Sequence, residues 1–168
     1  MPSDADASRT VADLCRRHGL NDSGIARELC MSWQELQTFA ADPLVTIGAH
    51  TVSHCNLAKC TSDVAEREIA ASRAAIEAKL ERPAMHFAYP YGDKGAATAR
   101  DFAIARKLGF KTAVTTRPGM LFAENAEHMT ALPRLSLNGN YQDERLLKVL
   151  TSGAATAMWN GFRRVDAA

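Results

Sequence analysis

Apolar residues fall along this chain in two rhythms. Four short runs, 44–49, 85–89, 111–115 and 132–137, are rich in β-branched or aromatic residues and bounded by turn formers. Runs of that length and composition predict buried strands. Longer amphipathic stretches separate them. From Ser62 to Leu80 the positions Ile69, Ile76 and Leu80 share one face, and Pro83 lies just past the end, which predicts a long helix. Ala96 to Leu108, stopped by Gly109, predicts a second helix, and Tyr141 to Leu150 a last one. Ahead of the first strand, 9–18 and 23–30 predict short helices broken at Gly19-Leu20-Asn21-Asp22. Ser32 and Glu35 form a capping-box pattern that opens a helix to Ala41, closed by Asp42-Pro43. Residues 1–8 are small and polar and are expected to fray. Strands alternating with helices predict βα units and a parallel sheet.

Composition narrows the class. The chain has 168 residues, 46% hydrophobic and 23% charged, with a net charge of +1. Those values are ordinary for a globular domain and give no reason to expect nucleic acid or an anionic membrane as partner. The expected organisation is an N-terminal helical or flexible segment, 1–31, followed by one domain, 32–168. No apolar stretch reaches membrane-spanning length and no secretory pattern opens the sequence. Four cysteines, Cys15, Cys30, Cys55 and Cys60, read as reduced thiols, and the expected location is cytoplasmic.

Two places carry chemistry. His50 and His54 follow the apolar run 44–49 directly, so a strand would deliver two imidazoles to the rim of a sheet. Imidazole is the commonest metal ligand, and both rings can reach one ion if the chain turns after Ala49; two unrelated histidines would look the same. The run 85–89 leads into Pro90-Tyr91-Gly92-Asp93, where the proline stops pairing and the glycine permits a tight turn. Cys55 and Cys60 beside the histidines leave a structural zinc site of two cysteines and two histidines open.

The combination resembles the polysaccharide deacetylase family (NodB homology domain, carbohydrate esterase family four). The likeness runs from about Trp33 to Leu137. It rests on Gly48-Ala49-His50-Thr51-Val52-Ser53-His54, Phe87-Ala88-Tyr89-Pro90-Tyr91-Gly92, Gly109-Phe110-Lys111-Thr112-Ala113-Val114-Thr115-Thr116 and Leu132-Pro133-Arg134. It implies an α/β fold, a deformed β/α barrel, here partial. It implies His50 and His54 as ligands of a divalent metal, zinc first. It places Tyr89, Pro90 and Tyr91 along an acetyl-binding groove, with the Tyr91 backbone N–H donating to the oxyanion. The family's first strand carries Thr-Phe-Asp-Asp-Gly, whose aspartates are the base and the third metal ligand. No Asp-Asp pair occurs in the chain, and Asp4, Asp6, Asp13, Asp22 and Asp42 stand on no apolar run. The family's arginine two residues before the proline is Ala88 here. Its later Asp and Leu-x-His motifs are replaced by Thr115-Thr116-Arg117-Pro118-Gly119 and Leu132-Pro133-Arg134-Leu135.

The resemblance therefore implies a hydrolase that removes N-acetyl groups from an N-acetylglucosamine polymer or oligomer, such as a chitooligosaccharide, and that is incomplete as given. Arg117 and Arg134 are expected to point into the groove. Arg134, on an apolar run, is expected to be buried against a carboxylate or the substrate. Asp93 is the substitute base, and His86 and His128 are weaker candidates for the acid. An unclosed sheet edge at 44–49 or 132–137 would favour self-association. Two other readings stand beside it: an inactive remnant or glycan-binding module, and a small zinc-stabilised interaction domain.

Overall fold

The computed structural model describes residues 4–140 and 142–164. It divides into two compact units, one running to Ile47 with Lys79–Glu81 added, the other Gly48–Ala78 with the chain from Arg82 onward.

The first unit is helical. Helix α1 spans Asp4–Arg17, α2 Asp22–Leu29 and α3 Trp33–Ala40. Residues 4–8, expected to fray, are the first turns of α1. Ala5 and Ala7 are strong helix formers, and Asp6 pairs with Arg9 one turn on. Residues 1–3 lie outside the described residues. The break between α1 and α2 falls where Gly19 adopts a φ of 66°. The capping box forms: Ser32 Oγ accepts from Glu35 N–H at 3.2 Å while the Glu35 carboxylate accepts from Ser32 N–H at 2.7 Å. Gln37 Nε2 donates to Lys79 O at 2.7 Å.

The second unit holds the sheet. Helix α4 (Ser62–Leu80) agrees with its predicted bounds and buries Ala65, Ile69 and Ser72. Strand β1 is His86–Ala88 and β2 Thr112–Val114, paired in parallel. Parallel bridges extend the ladder by one residue on each side, Ala49 to Phe87 and Val114 to Leu132. The order along the sheet is thus the order along the chain, as successive βα units require. Helix α5 (Ala99–Lys107) crosses from β1 to β2, and α6 (Glu144–Thr151) and α7 (Ala154–Trp159) close the described chain. Tyr141, the predicted start of α6, lies outside the described residues, and α7 was not predicted.

Two predicted strands shrink to single bridges. In 44–49, Asp42 Oδ1 accepts from Leu44 N–H at 2.8 Å and Asp42 O from Val45 N–H at 3.0 Å. The Asp-Pro turn holds those residues, and Leu44 is left 92% exposed. In 132–137, Pro133 has no N–H to donate, and the chain leaves the ladder after Leu132. The sheet is small and open, an unclosed barrel.

Its core is aromatic and small. Phe87 lies edge-on to Tyr89 at 5.0 Å and tilts against Phe110 at 5.3 Å, and Tyr89 meets Phe102 at 5.2 Å. Ala49, Leu57, Ile69, Ala105 and Ala113 pack around them. Arg73 on α4 ties the edges together, donating to Leu108 O at 2.6 Å and to Glu77 Oε1 at 2.8 Å. The Arg73 hydrogen bond, then that from Ala84 N–H, holds the Glu77 carboxyl below its ordinary range. A carboxyl depressed in the folded state stabilises above the unfolded range and ceases to as pH falls through its folded value. Denaturant midpoints of wild type should fall on acidification, and Glu77→Gln should flatten part of that fall. Parallel curves for the two proteins would refute it.

Candidate active site

The rim at the C-terminal ends of Ala49, β1 and β2 gathers the histidine loop and the tyrosine turn. Ala49 N–H donates to His86 O at 2.8 Å and Ala88 N–H to Ala49 O at 3.0 Å, so the next residue, His50, emerges beside the end of β1. Its Nδ1 lies 2.7 Å from Ala88 O. A carbonyl can only accept, so Nδ1 carries the proton and neutral His50 keeps its lone pair on Nε2, the arrangement that prepares an imidazole for a metal. The His50 and His54 rings stand edge to face with centroids 4.8 Å apart.

The backbone between them is unusual. Thr51 has φ 64° and His54 φ 55°. Left-handed geometry costs an L-residue about 1–2 kcal/mol and is least tolerated by a β-branched one. Glu68 of α4 holds this loop, its Oε2 accepting from Val52 N–H and Ser53 N–H at 2.9 Å each. Cys55, buried, roots its far end in the core. The Thr51 hydroxyl oxygen is buried with no hydrogen-bond partner among the described residues. Glu68 was not singled out from sequence. The trace it leaves there is a lone acidic residue among the inward positions of α4, beside Ala65 and Ile69.

The tyrosine turn meets the histidines. The Tyr91 ring lies 4.9 Å from that of His54. Tyr91 has φ 60° and Gly92 φ 68°. A Cβ on Gly92 would stand 2.7 Å from Thr116 N, so only glycine fits there. Thr116 clamps the turn, its N–H donating to Gly92 O at 3.0 Å and its hydroxyl to Tyr91 O at 2.5 Å. No described residue accepts from the Tyr91 N–H. Proline at 91 would demand φ near −65° and break the turn outright, so it cannot isolate that N–H. Tyr91→Gly should leave thermal stability unchanged or raised by about 1 kcal/mol, and Tyr91→Pro should cost about 3 kcal/mol or more. Equal stability of the two would show that the turn is not what holds Tyr91 in place.

Other expected site residues are placed differently. Tyr89 is not in the groove: it is 1% exposed, and its hydroxyl donates to Thr130 O at 2.7 Å. Burial pushes its phenol pKa up. The two-residue period of a strand puts Tyr89 on the Phe87 face, a signal the sequence does contain. Pro90 is buried as well. Arg134 is exposed rather than buried against a carboxylate, because the segment leaves the sheet at Pro133. Arg117 is half-buried, donating from Nη2 to Ala97 O at 2.7 Å, with its guanidinium 5.3 Å from the Phe102 ring centroid. Burial draws its pKa down and the Asp93 carboxylate opposes that. Asp93 is exposed beyond Gly92, its Oδ1 accepting from Gly95 N–H at 2.6 Å. His86, with Nδ1 2.7 Å from Thr112 Oγ1, begins β1 and so sits at the end of the strand away from the rim. His128 closes a turn ahead of Leu132.

Two imidazoles suit a metal, but a catalytic zinc site takes three protein ligands. Among the described residues no group of three His, Cys, Asp or Glu side chains gathers to hold one. Cys55 and Cys60 do not complete it: Cys55 is part of the hydrophobic core and Cys60 packs against that core, so neither joins the imidazoles in a donor group; burial, and then the hydrogen bond with Cys60, pushes the Cys55 thiol up to about 12.

Residues 11–113 match the family model for polysaccharide deacetylase. The chain belongs to the polysaccharide deacetylase family. The matched span contains both histidines and the whole tyrosine turn, and stops short of Arg117 and Arg134. No curated protein matches the chain. Among solved structures, the Streptococcus pyogenes deacetylase PplD in complex with acetate superposes with TM-score 0.66 at 24% identity, over 76% of this chain and 54% of that one. BC0361, a polysaccharide deacetylase from Bacillus cereus, superposes with TM-score 0.54 at 23% identity, over 63% of this chain and 32% of that one. At such identities the likeness concerns the fold. This deacetylase-family chain spans about half the length of the first and a third of the second.

Proposed function

We propose that this chain is the histidine-bearing part of a hydrolase that cleaves the acetamide bond of N-acetylglucosamine units in a polysaccharide or oligosaccharide, chitooligosaccharides included. The observation that carries the reading is the meeting of His50, His54 and Tyr91 on one rim, with ring centroids 4.8 and 4.9 Å apart. His50, oriented by Ala88 O, and His54 would be two ligands of a divalent metal, zinc by donor type. The third ligand is not among the described residues, so the donor set here is short by one. The Tyr91 N–H would donate to the oxyanion of the tetrahedral intermediate. Asp93 is the rim carboxylate proposed as base where no Asp-Asp strand is present, with Arg117 beside it. Arg134, exposed, would meet substrate only at the edge of the groove. The proposed substrate is an acetylated amino-sugar oligomer or polymer, met in a compartment reducing enough for the four free cysteines. No described helix is long and apolar enough to cross a membrane.

The incomplete donor set favours one rival, a remnant that binds glycan without turning it over. Acetate release separates them. A protein in which this chain is joined to a strand carrying an Asp-Asp pair should release acetate from N-acetylglucosamine oligomers and lose that activity with His50→Ala or His54→Ala. Glycan binding without acetate release would favour the remnant.

A further inference from the structure

Just past His54 the chain carries two thiols that the deacetylase reading does not use. Cys55 and Cys60 hydrogen-bond to each other, side chain to side chain. Between them stands a single 3₁₀ turn, Leu57–Lys59. Lys59 N–H donates to Asn56 O and Cys60 N–H to Leu57 O, at 3.0 Å each, which folds the chain back so that position 60 meets position 55. Arg100 of α5 fixes the turn, donating to Leu57 O at 2.5 Å and to Cys60 O at 2.8 Å. Both side chains belong to one packed cluster, Cys55 inside it and Cys60 against it.

Two free thiols in contact are the precursor of a disulfide. The bond needs its sulfurs at about 2.05 Å and its Cα atoms within about 7 Å. Thiols that already touch need only a small closing movement, in which Cys60 Sγ gives up its 3.5 Å hydrogen bond to Asn56 O. Exposure sets the order of events. Cys55 is buried and Cys60 is half-buried, so a reagent from solvent meets Cys60 first.

We propose that Cys55 and Cys60 are a reversible redox pair whose disulfide staples the far end of the histidine loop. The oxidant is a low-molecular-weight disulfide of the glutathione type. The Cys60 thiolate attacks one of its sulfurs. The small S–S bond breaks, a mixed disulfide forms on Cys60 and one glutathione thiolate leaves. The Cys55 sulfur, losing its proton to solvent, then attacks the Cys60 sulfur and expels the second glutathione thiolate. Two cysteine thiols lose two electrons, and one small disulfide becomes two thiols that take up the two protons. In a reducing compartment the pair rests open, and closure reports an oxidising shift.

The consequence is local. Cys55 follows His54 directly, and His54 carries one of the left-handed bends. A bond from 55 to 60 closes a small ring and removes the freedom of that segment to open. The loop is then held by Glu68 at Val52 and Ser53 and by the disulfide at Cys55.

The test equilibrates the 168-residue chain, as wild type and with Cys15→Ser and Cys30→Ser, in mixtures of reduced and oxidised glutathione. Acid quenching, alkylation and mass spectrometry then map the linkages. Both proteins should show one intramolecular bond, joining Cys55 to Cys60 and reopened by dithiothreitol. Cys55→Ser should trap glutathione on Cys60, because the resolving sulfur is gone. Cys60→Ser should leave Cys55 unmodified, because it is buried. Hydrogen exchange at 52–56 should slow about tenfold on oxidation. Glutathione retained at equilibrium on Cys60 while Cys55 is present would overturn the pairing, as would bonds to Cys15 or Cys30 in its place. A closed bond with unchanged exchange at 52–56 would overturn the staple. Acetate release enters none of these readouts, so the result stands apart from the fate of the deacetylase reading.

Discussion

Asp101→Ala should cost about 3–5 kcal/mol, the size expected when one partner of a buried ion pair is removed. Asp101 is 0% exposed at the start of α5. Its Oδ2 accepts from Thr98 N–H at 2.8 Å and from the Thr98 hydroxyl at 2.9 Å, closing a capping box. Its Oδ1 accepts from Arg100 Nε at 3.0 Å and Nη2 at 2.8 Å. Arg100 in turn donates to Leu57 O at 2.5 Å and Cys60 O at 2.8 Å, pinning the segment that follows the histidine loop. Alanine at 101 leaves the Thr98 amide without its acceptor and Arg100 without its counter-ion, with only the Leu57 and Cys60 carbonyls left to it. Against a total stability of about 5–15 kcal/mol, the variant should be marginal. Asp101→Asn, which keeps one acceptor, should lose less, about 1.5–3 kcal/mol. Urea denaturation measures both. Hydrogen exchange at 57–60 should quicken in the alanine variant before the rest of the second unit. A loss under about 1 kcal/mol would show that Arg100 finds another anion and that the pair is not what holds the loop.

The second large effect is catalytic. The 168-residue chain offers two imidazoles and no third donor among its described residues. It should bind zinc weakly and release acetate from N-acetylglucosamine oligomers slowly. Adding a strand with an Asp-Asp pair should raise acetate release by about 10²–10⁴-fold, the usual contribution of a positioned general base. His50→Ala in that extended protein should return it to the level of the 168-residue chain. The readouts are acetate produced per enzyme and zinc retained after dialysis. Substantial acetate release by the short chain, abolished by a chelator and by His50→Ala, would mean that a carboxylate within it has taken the base role, and Asp93→Asn would then be the decisive variant.

What the sequence carries is local. Helix α4 was legible to the residue because Ile69 and Ile76 repeat at a helical period and Pro83 follows. The Ser32 and Glu35 capping box was legible because its two hydrogen bonds lie within one turn. The order and direction of the sheet followed from alternation of strands and helices. The histidine pair and the Tyr-Pro-Tyr-Gly turn stood out as residue types at a spacing, and the family match covers both.

Tertiary structure decided what those residues face. An apolar run becomes a strand only where successive residues find ladder partners, so 44–49 and 132–137 form bridges at Ala49 and Leu132 alone, although the Arg134 N–H still donates to Arg117 O at 3.0 Å. The Arg134 side chain is exposed where that ladder has ended, and Tyr89 went to the core because Phe87 had already fixed that face. Glu68 holds Val52 and Ser53 across 16 and 15 residues of sequence, and Arg100 reaches back 43 residues to Leu57. No local pattern announces such contacts, because charge and backbone meet only after the chain has folded. The two imidazoles were written in the sequence; their 4.8 Å approach was made by Ala49 in the ladder, by left-handed turns at Thr51 and His54, and by a carboxylate on the neighbouring helix.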